Sequence, residues 1–156
     1  MISPWRTRLT GGCQCGAVRY ELMEPPVRAC ICHCRMCQKA SGQPFMAFAT
    51  VDQEQLRWTR GTPAVFRSSN LAQRGFCRDC GTPLTFQFQS QGEEIAMTIG
   101  SLDDPTAVSP TTQYGVESAI AWCATLSDLP RVTTEDDFGP ELAARFASYQ
   151  HPDRDT

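Results

Sequence analysis

Eight of the nine cysteines fall into three short motifs whose spacing suits metal binding. The motifs are GGCQCG at 11–16, CICHCRMC at 30–37 and FCRDCGTPL at 76–84. Thiolate sulfur is a preferred ligand of Zn²⁺, and two thiols separated by one or two residues can reach the same ion. Because an odd number of cysteines cannot pair fully within one chain, and a reducing compartment disfavours disulfides, the sequence predicts metal ligands.

The first and third motifs together predict a closed structural zinc site. Cys77 and Cys80 form a zinc knuckle, in which Gly81 can adopt the positive φ that exposes backbone N–H groups to sulfur. In an extended segment, Cys13 and Cys15 place both side chains on one face. Four thiolates complete a tetrahedron, so this ion would join two distant segments and couple metal binding to folding. A redox Cys-x-x-Cys is the alternative for the knuckle, but no βαβ pattern surrounds it.

The second motif predicts a zinc site of a different kind. Cys32, Cys34 and Cys37 form Cys-x-Cys-x-x-Cys, and all three sulfurs can face one ion. Three protein ligands leave one coordination position open, which is typical of a catalytic or substrate-binding zinc. Cys30 lies on the same side of an extended segment, so the alternative is a second closed four-thiolate centre. His33 would point to the opposite side as a packing or hydrogen-bonding group.

Short β-strands are predicted to position these motifs. Residues 18–22 alternate apolar and polar side chains, the pattern of a half-buried strand, and Pro25-Pro26 ends it. Four further short runs are bounded by turn residues: FMAFAT (45–50), TPAVFRS (62–68), PLTFQF (83–88) and IAMTIG (95–100). This spacing predicts an all-β or mostly-β domain.

Helices are predicted to be short and few. Residues 35–40 are enough for one or two helical turns, which Ser41-Gly42 would end, and residues 103–113 have a loop-like composition. A C-terminal helix is predicted with Pro140 at its first position and a shared apolar face formed by Leu142, Phe146 and Tyr149.

The charge distribution argues against nucleic-acid and membrane partners. The net charge is −3, with 11 Lys and Arg against 7 Asp and Glu in residues 1–100, and 3 against 10 in residues 101–156. Nucleic-acid binding is driven mainly by clustered cations, and the chain has no such run. The N-terminus lacks the apolar region of a secretory signal, and no stretch reaches the roughly 20 apolar residues of a membrane span. We therefore expect a soluble, cytoplasmic protein.

Four segments resemble a known family in order and spacing: GGCQCGAVRY, CHCRMCQKASG, RGFCRDCGTPL and TIGSLDDP. They are similar to the glutathione-dependent formaldehyde-activating enzymes, a family that includes CENP-V-like domains. The resemblance covers about residues 10–132, so we expect a zinc domain over 1–132 and a C-terminal tail, with a short helix, over 133–156. It implies a mostly-β fold of the β-tent type with short helical segments.

The resemblance also implies two zinc ions per chain. The structural ion would be held by Cys13, Cys15, Cys77 and Cys80, and the catalytic ion by Cys32, Cys34 and Cys37. Cys30 and Cys123 would then have structural roles only. The implied activity joins glutathione to formaldehyde as S-hydroxymethylglutathione, a carbon–sulfur lyase reaction that runs in either direction.

The chemistry of a three-thiolate zinc favours thiol binding over strong polarisation of the aldehyde, because three thiolates leave the centre with a formal charge of −1. Arg35 and Lys39 lie just beyond the second motif, and Arg67 and Arg74 precede the third motif in sequence. Any of these four cations could pair with the carboxylates of glutathione, and Arg35 and Lys39 are the predicted substrate-binding residues.

The non-catalytic alternative is a small-thiol carrier or a zinc-stabilised interaction module. The sequence departs from the family at Gln113-Tyr114-Gly115, where a histidine and a bulky aromatic are common. Tyr114 and Trp122 would either wall the site or fill the core.

Overall fold

A computed structural model describes residues 8–89 and 92–156. Within these residues the secondary structure is mainly β, as predicted, with ten strands: β1 (Leu9–Gly12), β2 (Arg19–Leu22), β3 (Arg28–Cys32), β4 (Met46–Asp52), β5 (Leu56–Arg60), β6 (Ala64–Arg67), β7 (Ala72–Phe76), β8 (Pro83–Phe88), β9 (Glu94–Thr98) and β10 (Thr112–Tyr114). The α-helices are α1 (Arg35–Ser41) and α2 (Thr134–Arg145). Short 3₁₀ turns are found at Gln53–Gln55, Ile99–Ser101, Pro105–Ala107, Val116–Ser118 and Ala121–Asp128.

The strands form two sheets. The smaller has the order β1-β2-β5, and the larger has the order β10-β3-β4-β9-β8-β7-β6. All pairings are antiparallel except that of β10 with β3. The four apolar runs predicted as strands coincide with β4, β6, β8 and β9, although the last run ends in a 3₁₀ turn. The mostly-β prediction is confirmed.

The main core brings side chains of both sheets together. Tyr20 and Leu22 of β2 pack in one buried cluster with Val51, Leu84 and Met97 of the larger sheet. The Tyr20 hydroxyl is satisfied by the Ser101 Oγ at 2.8 Å, as a buried polar group requires. The core therefore fixes the smaller sheet against the larger one.

The prediction that β2 is half-buried is wrong, because its polar residues are buried too. Arg19 is 3% exposed and Glu21 is 0% exposed. Arg19 donates to both carboxylate oxygens of Asp103, at 2.8 and 2.6 Å, and Glu21 is paired with Arg8 and Arg57. Buried charges are tolerated when they are paired. Alternation in the sequence cannot distinguish a face turned to solvent from one turned to ion-pair partners.

Helix α2 begins earlier than predicted. Thr133 and Asp136 form a capping box, the signal that sequence reasoning missed, and Gly139 at φ 73° interrupts the helix. Pro140 then begins the second part, as predicted. The helix ends at Arg145, so Tyr149, which is 96% exposed, lies outside the expected apolar face. Across the part of the chain that the structure describes, neither helix has the length and apolar character that crossing a bilayer demands.

The last residues of the chain return to the loop between β1 and β2. The backbone N–H of His151 donates to the Gln14 carbonyl at 2.7 Å, and Arg19 donates to the Arg154 carbonyl at 2.9 Å. The tail beyond residue 132 thus contacts the domain through its end. The domain boundary itself stays a prediction.

Candidate metal centres and the adjoining cavity

Cys13, Cys15, Cys77 and Cys80 form a four-cysteine group. Their Sγ atoms all lie within 4.8 Å of one another, with Cys13 and Cys15 separated by 3.5 Å and Cys15 and Cys77 by 3.8 Å. In a tetrahedral zinc site with Zn–S bonds of about 2.3 Å, neighbouring sulfurs are about 3.8 Å apart. All nine cysteines are free thiols and all lie within the described residues. The donor set and its spacing fit a closed zinc site.

Two tight turns position this group. Cys13 follows β1 and Cys77 follows β7, and the knuckle closes through a hydrogen bond from the Gly81 N–H to the Cys77 carbonyl at 2.9 Å. Gly81 has φ 79°, the positive value predicted for it. The group therefore ties the smaller sheet to the larger one.

The sulfur of Cys80 lies in a polar environment. The Thr82 hydroxyl is 3.2 Å from the Cys80 Sγ. Burial acts to raise the pKa of Cys80, but hydrogen bonds from Thr82, followed by those from Cys15, lower it to about 6. In the same group, a hydrogen bond from the Ala17 backbone acts to lower the pKa of Cys15, but burial and the neighbouring thiols outweigh it and raise that pKa to about 12. Cys80 is therefore the sulfur that ionises first.

Cys32, Cys34 and Cys37 form a three-cysteine group at the junction of β3 and α1. Their Sγ atoms also lie within 4.8 Å of one another. Cys34 is the N-cap of α1, and its Sγ accepts a hydrogen bond from the Cys37 N–H at 3.4 Å. The helix ends at Ser41 with Gly42 at φ 68°, as predicted. Cys30 lies outside the three-cysteine group, although it neighbours it on β3, and Cys123 lies outside both groups.

Strand β10, which sequence reasoning missed, supports the three-cysteine group from the side. Tyr114 pairs with Cys32, and its carbonyl accepts from the His33 N–H at 2.8 Å. Gly115 has φ 64°, and a Cβ at this position would lie 2.8 Å from the Cys34 nitrogen. Only glycine allows this close approach without a shift of the chain. In the sequence, Gly115 was the available signal for a turn next to the site.

His33 has the packing and hydrogen-bonding role predicted for it. Its buried ring lies 5.6 Å from that of Phe45, and its Nε2 is 2.8 Å from the Gln113 Oε1. Gln38 of α1 donates to the His33 carbonyl at 2.8 Å and to the Ser118 carbonyl at 2.9 Å. These contacts hold the loop before α1 against the chain that follows β10.

Arg74 of β7 is a buried cation beside the three-cysteine group. Its Nη2 donates to the Cys37 Sγ at 3.3 Å, and its guanidinium carbon lies 4.8 Å from the centre of the Phe86 ring. No carboxylate of the described residues pairs with it. Burial raises the pKa of Cys37 to about 12, and Arg74 opposes that shift. The Arg74 guanidinium therefore faces the Cys37 sulfur. The spacing of the cysteines in the sequence did not predict this contact.

A cavity of about 760 Å³ opens beside the three-cysteine group. Cys30 lines it together with all three cysteines of the group, and Tyr114 forms part of its wall, one of the two roles considered for that residue. Trp122 is exposed and lies outside the lining, so it neither walls this cavity nor fills the core. The aromatic and aliphatic wall residues are Met36, Phe48, Leu71, Ala72, Phe86, Phe88 and Ala96.

Of the four cations considered for substrate binding, Arg74 lines this cavity and the other three lie outside its lining. Arg35 is exposed and donates to the Gln38 Oε1 at 3.3 Å, and Lys39 lines a neighbouring cavity of about 510 Å³. Arg67 donates to the carbonyls of Ser69 and Asn70. A substrate-binding role for Arg35 and Lys39 stays a prediction.

The chain is a mostly-β domain in which the four-cysteine and three-cysteine groups are two candidate metal centres. Residues 8–118 match the family model described as glutathione-dependent formaldehyde-activating enzyme, and the chain belongs to that family. Over 79 residues the chain is 34% identical to an uncharacterized lyase of Schizosaccharomyces pombe, a match that covers 50% of this chain and 56% of that protein. The chain thus spans little more than half the length of that curated relative.

A solved structure agrees with the fold. The crystal structure of a Rhodobacter sphaeroides protein is 27% identical in sequence and superposes with a TM-score of 0.54. The match covers 67% of this chain and 98% of that one.

Proposed function

We propose that this chain is a zinc-dependent carbon–sulfur lyase-type enzyme that joins a small thiol to formaldehyde or another small aldehyde, or cleaves the adduct. The observation that carries the proposal is the three-cysteine group opening on a cavity of about 760 Å³. Family membership and the lyase name of the yeast relative support it. In this proposal the four-cysteine group holds a structural zinc, the fold is of the β-tent type, and the protein works in the reducing cytoplasm.

The residues around the site fit thiol addition. Cys32, Cys34 and Cys37 would hold a zinc ion, which would supply Lewis acidity toward the sulfur of a bound thiol. Arg74 places a positive charge against Cys37, where three thiolates and one Zn²⁺ would sum to −1. In the addition, the thiol loses its proton, its sulfur bonds to the carbonyl carbon, and the carbonyl oxygen takes up a proton. Cleavage reverses each change.

Exchange NMR on glutathione and formaldehyde tests this activity. Adduct formation occurs without a catalyst, so the expected result is faster exchange with zinc-loaded protein than with buffer, and no acceleration with Cys37→Ser. Equal exchange rates with and without the wild-type protein at substantial concentration would overturn the catalytic proposal.

A small-thiol carrier is the second candidate, and the lining of the cavity favours it. Among the described lining residues there is no histidine, and the carboxylate of Glu94 is paired with Arg28. A carrier needs the open position but no acid or base. In the same experiment, a carrier would broaden or shift the glutathione signals without accelerating exchange.

A further inference from the structure

The cavity beside the three-cysteine group has an aromatic wall. The ring centres of Phe48 and Phe86 are 6.0 Å apart, and those of Phe86 and Phe88 are 4.9 Å apart in an edge-on arrangement. Leu71 and Ala96 extend this wall. A surface of this composition gains free energy when it covers the carbon atoms of a ligand.

Two guanidinium groups line the cavity, and of these two Arg28 alone pairs with a carboxylate of the described residues. Arg28 donates to the Glu94 carboxylate through both terminal nitrogens, with one contact at 2.9 Å. Arg74 is held between the Cys37 sulfur and the Phe86 ring. Glutathione carries two carboxylates, and a carboxylate that leaves water without a cationic partner is strongly disfavoured. Arg74 could serve at most one of these two carboxylates, and its guanidinium already donates to the Cys37 sulfur, so the lining suits an apolar thiol better than a tripeptide thiol.

The mouth of the cavity exposes large apolar side chains. Leu71 is 52% exposed and Phe88 is 42% exposed, and both line the cavity. Exposed apolar side chains that are contiguous with a pocket commonly mark a ligand surface. Formaldehyde, with one carbon, would leave most of about 760 Å³ unfilled.

We propose that this cavity takes the apolar substituent, aromatic or medium-chain alkyl, of the thiol reactant. The proposal rests on the proposed function, because it places the thiol sulfur at the open position of a metal held by the three-cysteine group. On binding, the S–H proton passes to solvent and the substituent lies against Phe86 and Leu71. The site prefers such a thiol to glutathione.

Titration of the cobalt-substituted protein with thiols tests this preference, read from the thiolate-to-cobalt absorption bands. The probes are ethanethiol, butane-1-thiol, phenylmethanethiol and glutathione. We expect the affinity to rise about three- to fourfold per methylene between the two alkanethiols. Glutathione should bind at least about tenfold more weakly than phenylmethanethiol, since at least one of its two carboxylates lacks a cationic partner. Equal or tighter glutathione binding would overturn the substrate class and leave thiol binding intact. If none of the four thiols changes the bands, the proposed function fails together with the inference.

A matched pair of variants shows whether the aromatic wall is responsible. Leu71→Glu adds a charge inside the cavity mouth, whereas Val65→Glu adds the same charge at a position 59% exposed and outside the lining. Leu71→Glu should weaken phenylmethanethiol binding about tenfold and change ethanethiol binding little. Val65→Glu should change neither. Equal losses for both thiols in Leu71→Glu would indicate a general structural defect and contradict the proposal.

Discussion

The two cysteine groups use the same ligand atoms but differ in how the chain assembles them. The four-cysteine group joins Cys13 and Cys15, at the end of β1, to Cys77 and Cys80, between β7 and β8. The three-cysteine group lies within six consecutive positions at the β3–α1 junction. A metal ion that joins Cys15 to Cys77 closes a long segment of chain and so contributes to the stability of the whole fold. A metal ion bound within residues 32–37 closes only a short segment and contributes little to that stability. We therefore propose that the first group stabilises the fold and that the second carries the chemistry.

The surroundings of the two groups differ as well. Around the four-cysteine group, the Val18 N–H donates to the Cys13 Sγ at 3.2 Å and the Thr82 hydroxyl contacts Cys80. At the three-cysteine group, the full positive charge of Arg74 faces Cys37. Each group borders a cavity, of about 390 Å³ at Cys13 and Cys80 and of about 760 Å³ at the three-cysteine group. The two groups differ in that neutral donors contact the sulfurs of the first, whereas a buried cation contacts Cys37 of the second.

Replacing a ligand of the four-cysteine group should have the largest effect. Cys77→Ser breaks the link between the sheets, and structural zinc is worth roughly 10 kcal/mol or more in small zinc domains. That exceeds or matches the whole stability of a typical domain. We expect an unfolded or aggregated protein in circular dichroism and sedimentation. Cys123→Ser, which lies outside both groups, is the control and should melt like the wild type. A well-folded Cys77→Ser protein with native zinc content would contradict the structural assignment.

Cys37→Ser should produce a folded protein that lacks one metal. The substitution removes one ligand of a local group, so the sheets remain linked through the other group. Zinc analysis should give about one ion fewer per chain than the wild type, together with loss of the cobalt-band response to thiols. If Cys37→Ser lowers the melting temperature as much as Cys77→Ser does, the three-cysteine group also holds a structural metal ion. The proposed difference in role between the two cysteine groups would then be wrong.

Removing the charge of Arg74 should weaken the three-cysteine centre without unfolding the protein. A hydrogen bond to a charged group contributes about 1.5–3 kcal/mol. The Arg74→Met variant should therefore release the metal of its three-cysteine group at a chelator concentration about ten- to hundredfold lower than the wild type requires. Arg74→Lys keeps the charge and should recover part of the loss. Arg67→Met is the control, because Arg67 donates only to backbone carbonyls. Unchanged metal retention in Arg74→Met would show that the cation does not stabilise the centre.

The grouping of the cysteines was predictable from the sequence because the geometry within each motif is mostly local. Cysteines two or three positions apart converge through an extended pair or a tight turn, whatever the rest of the fold. Gly81 and Gly42 could be assigned for the same reason, since each ends a local turn with positive φ.

The neighbours of the groups could not be predicted, because they depend on strand register between distant segments. Arg74 reaches Cys37 only because β7 lies beside β8 in the sheet that also carries β3. Strand β10 has three residues, too few for a periodic pattern, and forms by pairing with β3. The alternation of β2 predicts a solvent-facing Glu21, whereas in the fold Arg8 and Arg57 pair with its buried carboxylate.

Replacing Cys30 should have the smallest effect and is the sharpest test of the open position. Cys30 lies on β3 opposite Phe48 of β4, lines the cavity and is not part of the three-cysteine group. Cys30→Ala should therefore keep both zinc ions, nearly the wild-type melting temperature and the same cobalt-band intensity per ion. The wild type and the variant should also respond to added thiol alike. If Cys30 instead occupied the fourth position, only the variant would respond, because removing the sulfur would open a coordination site that the wild type keeps closed. That result would make both groups closed and remove the basis for assigning chemistry to one of them.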